Sequence, residues 1–109
     1  MIKPSKVVFA NDKIEKEFYD LRDGDLKKFL KRAMFDLQSN AFCGIRLPKK
    51  LIPKEYIKKY KINNLWKYDL PNGWRLIYSI VTPNKIEILS VILEYFDHKK
   101  YERRFKYLW

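Results

Sequence analysis

The chain is organised around one strongly marked hairpin. Two runs rich in aromatic and branched side chains, residues 65–70 and 74–81, flank the tripeptide Pro71-Asn72-Gly73. Asparagine and glycine readily adopt the positive φ angles that a tight hairpin turn requires. A third apolar run, residues 86–96, follows across residues 82–85, which include a proline and an asparagine typical of turns. The sequence therefore predicts a three-stranded antiparallel meander.

Arg75 begins the middle strand of this meander. Because side chains alternate between the two faces of a strand, Arg75 shares its face with Ile77, Ser79 and Val81. Two interpretations are open for this charge. Its stem can pack on the sheet while its head reaches water, or it can be a fixed cation that binds an anion. The basic segment that follows the third strand, residues 97–106, favours the second interpretation.

The residues before the meander show helical periodicity. A short buried strand is predicted within residues 5–10, and Asn11 can cap a helix that follows it. Asp25 can cap a second helix after the break at Gly24. This second helix has an apolar stripe at i, i+3 and i+4 spacing, formed by Leu26, Phe29, Leu30, Ala33, Met34 and Leu37. We therefore expect a two-helix hairpin that covers one face of the sheet.

Two shorter helices complete the predicted fold. Pro53 fits the first position of a helical turn over residues 54–60. Asp97 can cap a final helix whose Tyr101 and Phe105 pack on the sheet. This leaves three basic side chains of that helix exposed: Arg103, Arg104 and Lys106. The fold class is α+β within one domain, residues 1–109: an N-terminal strand, a two-helix hairpin, an antiparallel β-meander and a short C-terminal helix, with the second sheet face partly open.

Charge and composition narrow the possible partners. A net charge of +11 and a pI near 9.7 favour a polyanion, either nucleic acid or an anionic membrane surface, over a merely solvated lysine surface. The single cysteine, Cys43, cannot form an intramolecular disulfide, and we expect it to be a buried thiol. With one histidine, His98, the sequence shows no metal-ligand spacing and implies no cofactor. It also lacks a signal-peptide pattern and a membrane-length apolar run, so we expect a cytoplasmic protein.

Several of these features together resemble a known group. They are the order of the elements, the strand Trp74-Arg75-Leu76-Ile77-Tyr78 after an Asn-Gly turn, the long apolar strand, and the segment His98-Lys99-Lys100-Tyr101. The chain resembles the RelE/ParE superfamily of toxins from type II toxin–antitoxin pairs. In element order the resemblance covers nearly the whole chain, and its specific residues lie between positions 64 and 105. It implies a RelE-like, microbial-ribonuclease-type sheet with a concave basic groove on the open face.

The resemblance also implies an activity. Toxins of the RelE branch are ribosome-dependent, metal-independent endoribonucleases that cut mRNA during translation and inhibit growth, and each has a small antitoxin, expected here to be acidic. Arg75 matches the strand arginine that stabilises the scissile phosphate. His98 is a candidate acid or base, because imidazole titrates near neutral pH. Tyr101 could stack on a base or orient the phosphate. The candidate phosphate-binding residues are Lys67, Lys99, Lys100 and Arg103.

The chain departs from this family in its charged residues. Members of the RelE branch carry lysines at alternate positions of the strand before the arginine. Here these positions are Trp66, Tyr68 and Leu70, and Lys67 lies on the opposite face. Other relatives use a glutamate base before that strand, where Glu55 is the one carboxylate near the connector that could serve. The identity of the base therefore stays open.

Two other functions also stay open. In the ParE branch the same fold inhibits DNA gyrase without cutting RNA, and the basic surface would contact protein or DNA. A plain nucleic-acid-binding module would hold the backbone with lysines and stack bases on aromatic side chains, here Trp66, Tyr68, Trp74 or Tyr78. The occurrence of Arg75 together with His98 and Tyr101 favours the nuclease.

Overall fold

A five-stranded mixed sheet with helices on both faces forms the fold. The computed structural model describes residues 2–105. Its helices and strands are β1 (Lys6–Phe9), α1 (Asp12–Tyr19), α2 (Asp25–Ser39), β2 (Ile45–Arg46), α3 (Lys54–Tyr60), β3 (Trp66–Asp69), β4 (Arg75–Val81), β5 (Leu89–Phe96) and α4 (His98–Phe105). This arrangement confirms the predicted α+β class. No helix in the described range is both long and apolar enough to cross a membrane.

The strand order in the sheet is β1-β5-β4-β3-β2. Strands β3, β4 and β5 form the predicted antiparallel meander, and β1 joins its far edge parallel to β5. The other edge is β2, which lies antiparallel to β3 and which the sequence did not predict. Two residues are too few to show an alternating pattern.

The hairpin turn between β3 and β4 has the predicted backbone geometry. Asn72 and Gly73 adopt φ angles of 63° and 79°, and the Leu70 amide donates to the Trp74 carbonyl at 2.8 Å. The following connection is longer than predicted, because β5 begins at Leu89. Before it, the Asn84 side chain accepts hydrogen bonds from the amides of residues 86 and 87, each at 2.8 Å, and so closes a local turn in place of strand pairing.

The first core lies between the sheet and the helix pair. Leu76, Tyr78 and Ile92 of the sheet pack with apolar residues of α1 and α2, namely Phe18, Leu30, Ala33 and Leu37. This is the predicted layer. The Asn11 side chain caps α1, since its Oδ1 accepts from the Ile14 amide at 3.0 Å. The predicted Asp25 cap is wrong: Asp25 is the first helical residue, and Gly24 precedes it without a side-chain bond.

A second core covers the opposite face of the sheet. Ile77 and Leu93 pack there with residues of α3 and α4, namely Tyr56, Tyr101 and Phe105. The register between β4 and β5 shifts at Ile77, which places the extra residue Leu93 on this face. The expectation of a partly open second face is therefore corrected, because two short helices occupy it. As predicted, Asp97 caps α4 by accepting from the Lys100 amide at 2.9 Å, whereas Pro53 lies just before α3 and not within it.

Candidate phosphate-binding site

Arg75 and Lys67 lie on the same face of the sheet. Register fixes this arrangement: Asp69 pairs with Arg75 and Lys67 pairs with Ile77 across β3 and β4. The Arg75 guanidinium lies 5.4 Å from the centre of the Tyr101 ring, and Lys67 Nζ lies 5.6 Å from it. The structure thus brings together Arg75, a predicted catalytic residue, and Lys67, a predicted phosphate-binding residue, and we call the two the cation pair.

The Asp69 carboxylate bridges the cation pair. Its Oδ1 lies 2.9 Å from Arg75 Nε and 3.3 Å from Lys67 Nζ. Each cation has only 17% of its side chain exposed, while that of Asp69 is 45% exposed. Lys67 and Arg75 together carry two positive charges and Asp69 carries one negative charge, so the cluster keeps a net charge of +1. Both cations already contact a carboxylate oxygen of Asp69. A phosphate presents oxygens of the same kind to such a group.

Tyr101 supports the cation pair from within the second core. Only 2% of the residue is exposed, and its ring packs against Phe96 and Phe105, with centroid distances of 6.1 Å and 4.7 Å. The interpretation that Tyr101 stacks on a nucleic-acid base is therefore wrong, because its ring is covered. Burial raises the pKa of its hydroxyl above the ordinary tyrosine value. Tyr101 therefore supports Arg75 and Lys67 through cation–π contacts with its ring.

His98 begins α4 at the end of the sheet where Arg75 lies. Arg75 pairs with Phe96 in the sheet, two residues before His98. A Cβ added to Gly73 would lie 3.2 Å from His98 Cβ, so the hairpin turn lies directly against the start of the helix. The imidazole Nε2 contacts the Glu102 carboxylate one helical turn further on. The Glu102 carboxylate can hold the exposed His98 ring in place, and an imidazole can donate or accept a proton.

The remaining predicted phosphate-binding residues lie on the exposed side of α4. Lys99, Lys100 and Arg103 are exposed, which confirms the predicted exposure of Arg103. Lys106 lies outside the described residues. Arg104 is not exposed as expected: its side chain is only 24% exposed, and its Nη1 lies 3.1 Å from Glu94. The basic surface of the helix is therefore smaller than its sequence indicates.

Glu55 lies in a different cluster from the cation pair. Its carboxylate lies 4.0 Å from Arg104 Nε. Arg104 in turn contacts Glu94, which accepts a hydrogen bond from the Tyr56 hydroxyl. Glu55 thus interacts with α4 rather than with Arg75, which weakens its candidacy as the base. No sequence pattern predicts the Glu94 cluster, because it depends on which helices pack on the second sheet face.

The aromatic residues considered as base-stacking platforms lie on the face covered by the helix pair. Tyr78 is completely buried, and its hydroxyl donates to the Ala41 carbonyl at 2.8 Å. The Tyr68 hydroxyl donates to Asp36, and burial together with that carboxylate raises its pKa to about 12. Trp66 stacks between Tyr78 and Phe42. These rings are structural, with Phe42 at the exposed end of the stack.

The predicted environment of Cys43 is wrong. Cys43 is exposed, since it lies in the short turn Ala41–Cys43 between α2 and β2. Within residues 2–105, no three or more histidine, cysteine, aspartate or glutamate side chains are grouped so that they could hold a metal ion.

Comparison with family models, curated proteins and solved structures finds no match to this chain. Membership of the RelE/ParE superfamily therefore stays a prediction from the sequence motifs.

Proposed function

We propose that this chain is the toxin of a type II toxin–antitoxin pair, a RelE-like endoribonuclease that cuts mRNA on the ribosome without a metal ion. One observation carries the proposal: Arg75 and Lys67 share one sheet face, at the end of the sheet where His98 begins α4. A fixed cation pair and an exposed histidine at one end of the sheet are groups that metal-free RNA cleavage can use.

The proposed reaction transfers the phosphate within the RNA. A base removes the proton of the ribose 2′-hydroxyl, and the 2′-oxygen then forms a bond to phosphorus while the bond to the 5′-oxygen of the next nucleotide breaks. An acid gives a proton to that leaving oxygen. The products are a 2′,3′-cyclic phosphate and a 5′-hydroxyl end. Arg75 and Lys67 stabilise the charge that builds up on the phosphate oxygens.

Two side chains are assigned to the proton transfers. Asp69 is in contact with both cations, so its carboxylate lies beside any phosphate bound there, and we assign it the role of base. His98 then serves as the acid, and Glu102 is a positioning residue that holds the imidazole. We prefer Asp69 to Glu55 as the base, because the Glu55 carboxylate lies near Arg104 and not near the cation pair.

The proposed setting follows from charge. A chain with net charge +11 associates readily with a small acidic antitoxin, and opposite charges speed such an encounter. In this proposal the toxin acts in the cytoplasm on translating ribosomes, and the antitoxin holds it inactive. The ParE-like alternative keeps the acidic partner but replaces the target with DNA gyrase.

A translating extract, ideally with ribosomes from the protein's own source, tests the proposal. Purified wild-type protein should produce new mRNA 5′ ends at ribosome-occupied codons. Arg75→Ala should abolish them, whereas Arg22→Ala, which removes one exposed arginine between α1 and α2, should cut like the wild type. If the folded wild type produces no cuts, the nuclease proposal fails, and a DNA supercoiling assay then tests gyrase inhibition.

A further inference from the structure

Phe42 stands between two adjoining pockets near the β2 edge of the sheet. The smaller pocket has a volume of about 210 Å³, and its lining includes Arg46, Lys49, Asn63 and Trp66. The larger has a volume of about 570 Å³ and includes Lys3 and Lys85 in its lining. Phe42 and Ile80 line both pockets. We call this continuous surface the Phe42 groove, and the proposed nuclease site does not include it.

The aromatic part of the groove is a stack of three rings that ends at the surface. Phe42 stacks on Trp66 with ring centres 5.5 Å apart and planes 21° apart, and Trp66 stacks on the buried Tyr78. Phe42 is 38% exposed. Its ring is therefore held in a fixed orientation by two rings behind it, which is what a base-stacking platform requires.

The charged part of the groove is almost entirely positive. Four cations line the two pockets, and among residues 2–105 none of them forms an ion pair: Lys3, Arg46, Lys49 and Lys85. The one carboxylate there, that of Glu87, accepts a hydrogen bond from Asn84. Arg46 is the direct cross-strand partner of Trp66, so its side chain projects beside the ring stack. Unpaired cations around an aromatic ring fit a chain of phosphates and bases.

The groove also contains a polar group that can contact a base edge. Asn64 is fully used within the fold, since its Oδ1 accepts from the Ile80 amide and the Ser79 hydroxyl. Its Nδ2 donates to the Ile80 carbonyl and to Asn63 Oδ1. The exposed Asn63 lines the smaller pocket, and a side-chain amide can donate to a base carbonyl or ring nitrogen.

We propose that the Phe42 groove binds single-stranded RNA, with one unpaired base stacked on Phe42 and the adjoining phosphates held by Arg46 and Lys49. The inference deepens the proposed function, because it takes mRNA as the ligand. Trp66 of the groove and Lys67 of the cation pair are consecutive residues of β3 that face opposite sides of the sheet. An RNA strand bound at both places would pass around the two-residue edge strand β2.

Direct binding to naked RNA tests the groove without ribosomes. The probe is a fluorescein-labelled decauridine, and its anisotropy gives the dissociation constant at low salt. Phe42→Ala should weaken binding about tenfold, the usual effect of losing one stacking platform. The matched control is Phe35→Ala, which removes an exposed aromatic ring from α2 and should bind like the wild type. Equal dissociation constants for the two variants would overturn the proposal.

A second pair of variants protects the test against a folding defect at Phe42. Arg46→Gln should lower the slope of log affinity against log salt by about 0.7, the loss of one phosphate contact to a single strand, whereas Arg22→Gln should leave the slope unchanged. Equal slopes would contradict the groove. The two proposals can fail separately. Absence of cuts in the extract overturns the nuclease alone. A dissociation constant for decauridine that Phe42→Ala leaves unchanged overturns the groove alone.

Discussion

At the residue scale, the site depends on how one carboxylate is shared. Asp69 neutralises one of the two charges of the cation pair, yet almost half of its side chain is exposed. The two cations are largely covered, but water reaches the Asp69 carboxylate and weakens both ion pairs. An incoming phosphate can therefore replace Asp69 on the two cations at small cost, which leaves the carboxylate nearby and able to accept a proton.

Asp69→Asn separates the two roles of this carboxylate. Without its charge, the cation pair is free for phosphate, so binding of the decauridine should strengthen by about two- to fivefold, in line with the small value of such ion pairs. Cleavage in the extract should slow at least about a hundredfold, the usual contribution of a general base. Glu55→Gln is the control and should change neither quantity. Unchanged cleavage by Asp69→Asn would remove Asp69 from the proton transfer.

Some of these residues could be predicted from the sequence and others could not. Strand alternation placed Arg75 on its face, but only the register of β3 shows that Lys67 shares that face with it. The sequence is compatible with Tyr101 either in the core or exposed at the site, and in the structure α4 packs so that Tyr101 is buried in the second core. Cys43 was expected inside because cysteine is often buried; a short turn places it outside.

At the element scale, the short segment from α2 to β2 is fixed by a close approach of backbones. A Cβ on Gly44 would lie 2.6 Å from the Lys67 carbonyl oxygen and 2.6 Å from the Tyr78 hydroxyl. The Gly44 amide also donates to that hydroxyl at 3.1 Å. This position therefore needs glycine for space, and it couples the edge of the sheet to the first core.

Gly44→Ala should lower the free energy of unfolding by about 1–3 kcal/mol, the usual cost of an added group in a closely packed site. Gly24→Ala is the matched control, because the nearest atom to its added Cβ is 4.0 Å away. It should cost less than about 1 kcal/mol. Urea denaturation of both variants measures the difference. Equal stabilities of Gly44→Ala and the wild type would show that the segment can move aside.

The elements differ in how well their sequences specify them. The long α2 stripe and the Asn72-Gly73 turn carry strong local signals, and both are where the sequence predicts them. The positions of α3 and α4 on the second face have no local signal, since each helix is short and its apolar residues could pack on several surfaces. The same is true of the bulge at Leu93, which depends on how β4 and β5 pair.

At the scale of the whole molecule, two buried tyrosines and one partly buried tyrosine, Tyr68, make stability sensitive to alkaline pH. Burial is the largest cause that raises the pKa values of Tyr56, Tyr68 and Tyr78 above 10, and hydrogen bonds to Glu94 and Asp36 add to it for the first two. In the unfolded chain these hydroxyls ionise near pH 10. Because the unfolded state loses its protons first, the stabilisation is complete below about pH 10 and decreases as the pH rises above it.

A pH titration followed by tyrosinate absorbance and far-ultraviolet circular dichroism checks this expectation. A tyrosine hydroxyl in an unfolded chain ionises near pH 10. The buried tyrosines should ionise only at higher pH and together with the loss of helical signal. Ionisation of all eight tyrosines near pH 10 with an unchanged circular dichroism spectrum would contradict the burial that the structure describes.

The positive charge and the two cores together determine which surface of the molecule would bind RNA in the proposed function. The first core fixes the sheet, and the second holds α4 so that His98 lies against the hairpin turn. The net charge of +11 attracts a polyanion but carries no sequence preference. In the proposed function, a few fixed groups at one end of the sheet carry out the chemistry, and the wider basic surface supplies the binding strength.

The most direct test of this account is the chemical nature of the ends that the protein makes in mRNA. Intramolecular attack by the 2′-oxygen predicts 5′-hydroxyl ends at ribosome-occupied codons, which can be ligated to an adapter only after treatment with a polynucleotide kinase. These ends should be absent with Arg75→Ala and present with Arg22→Ala. Ends that carry a 5′-phosphate, or cuts that persist in Arg75→Ala, would contradict the proposed site and its chemistry.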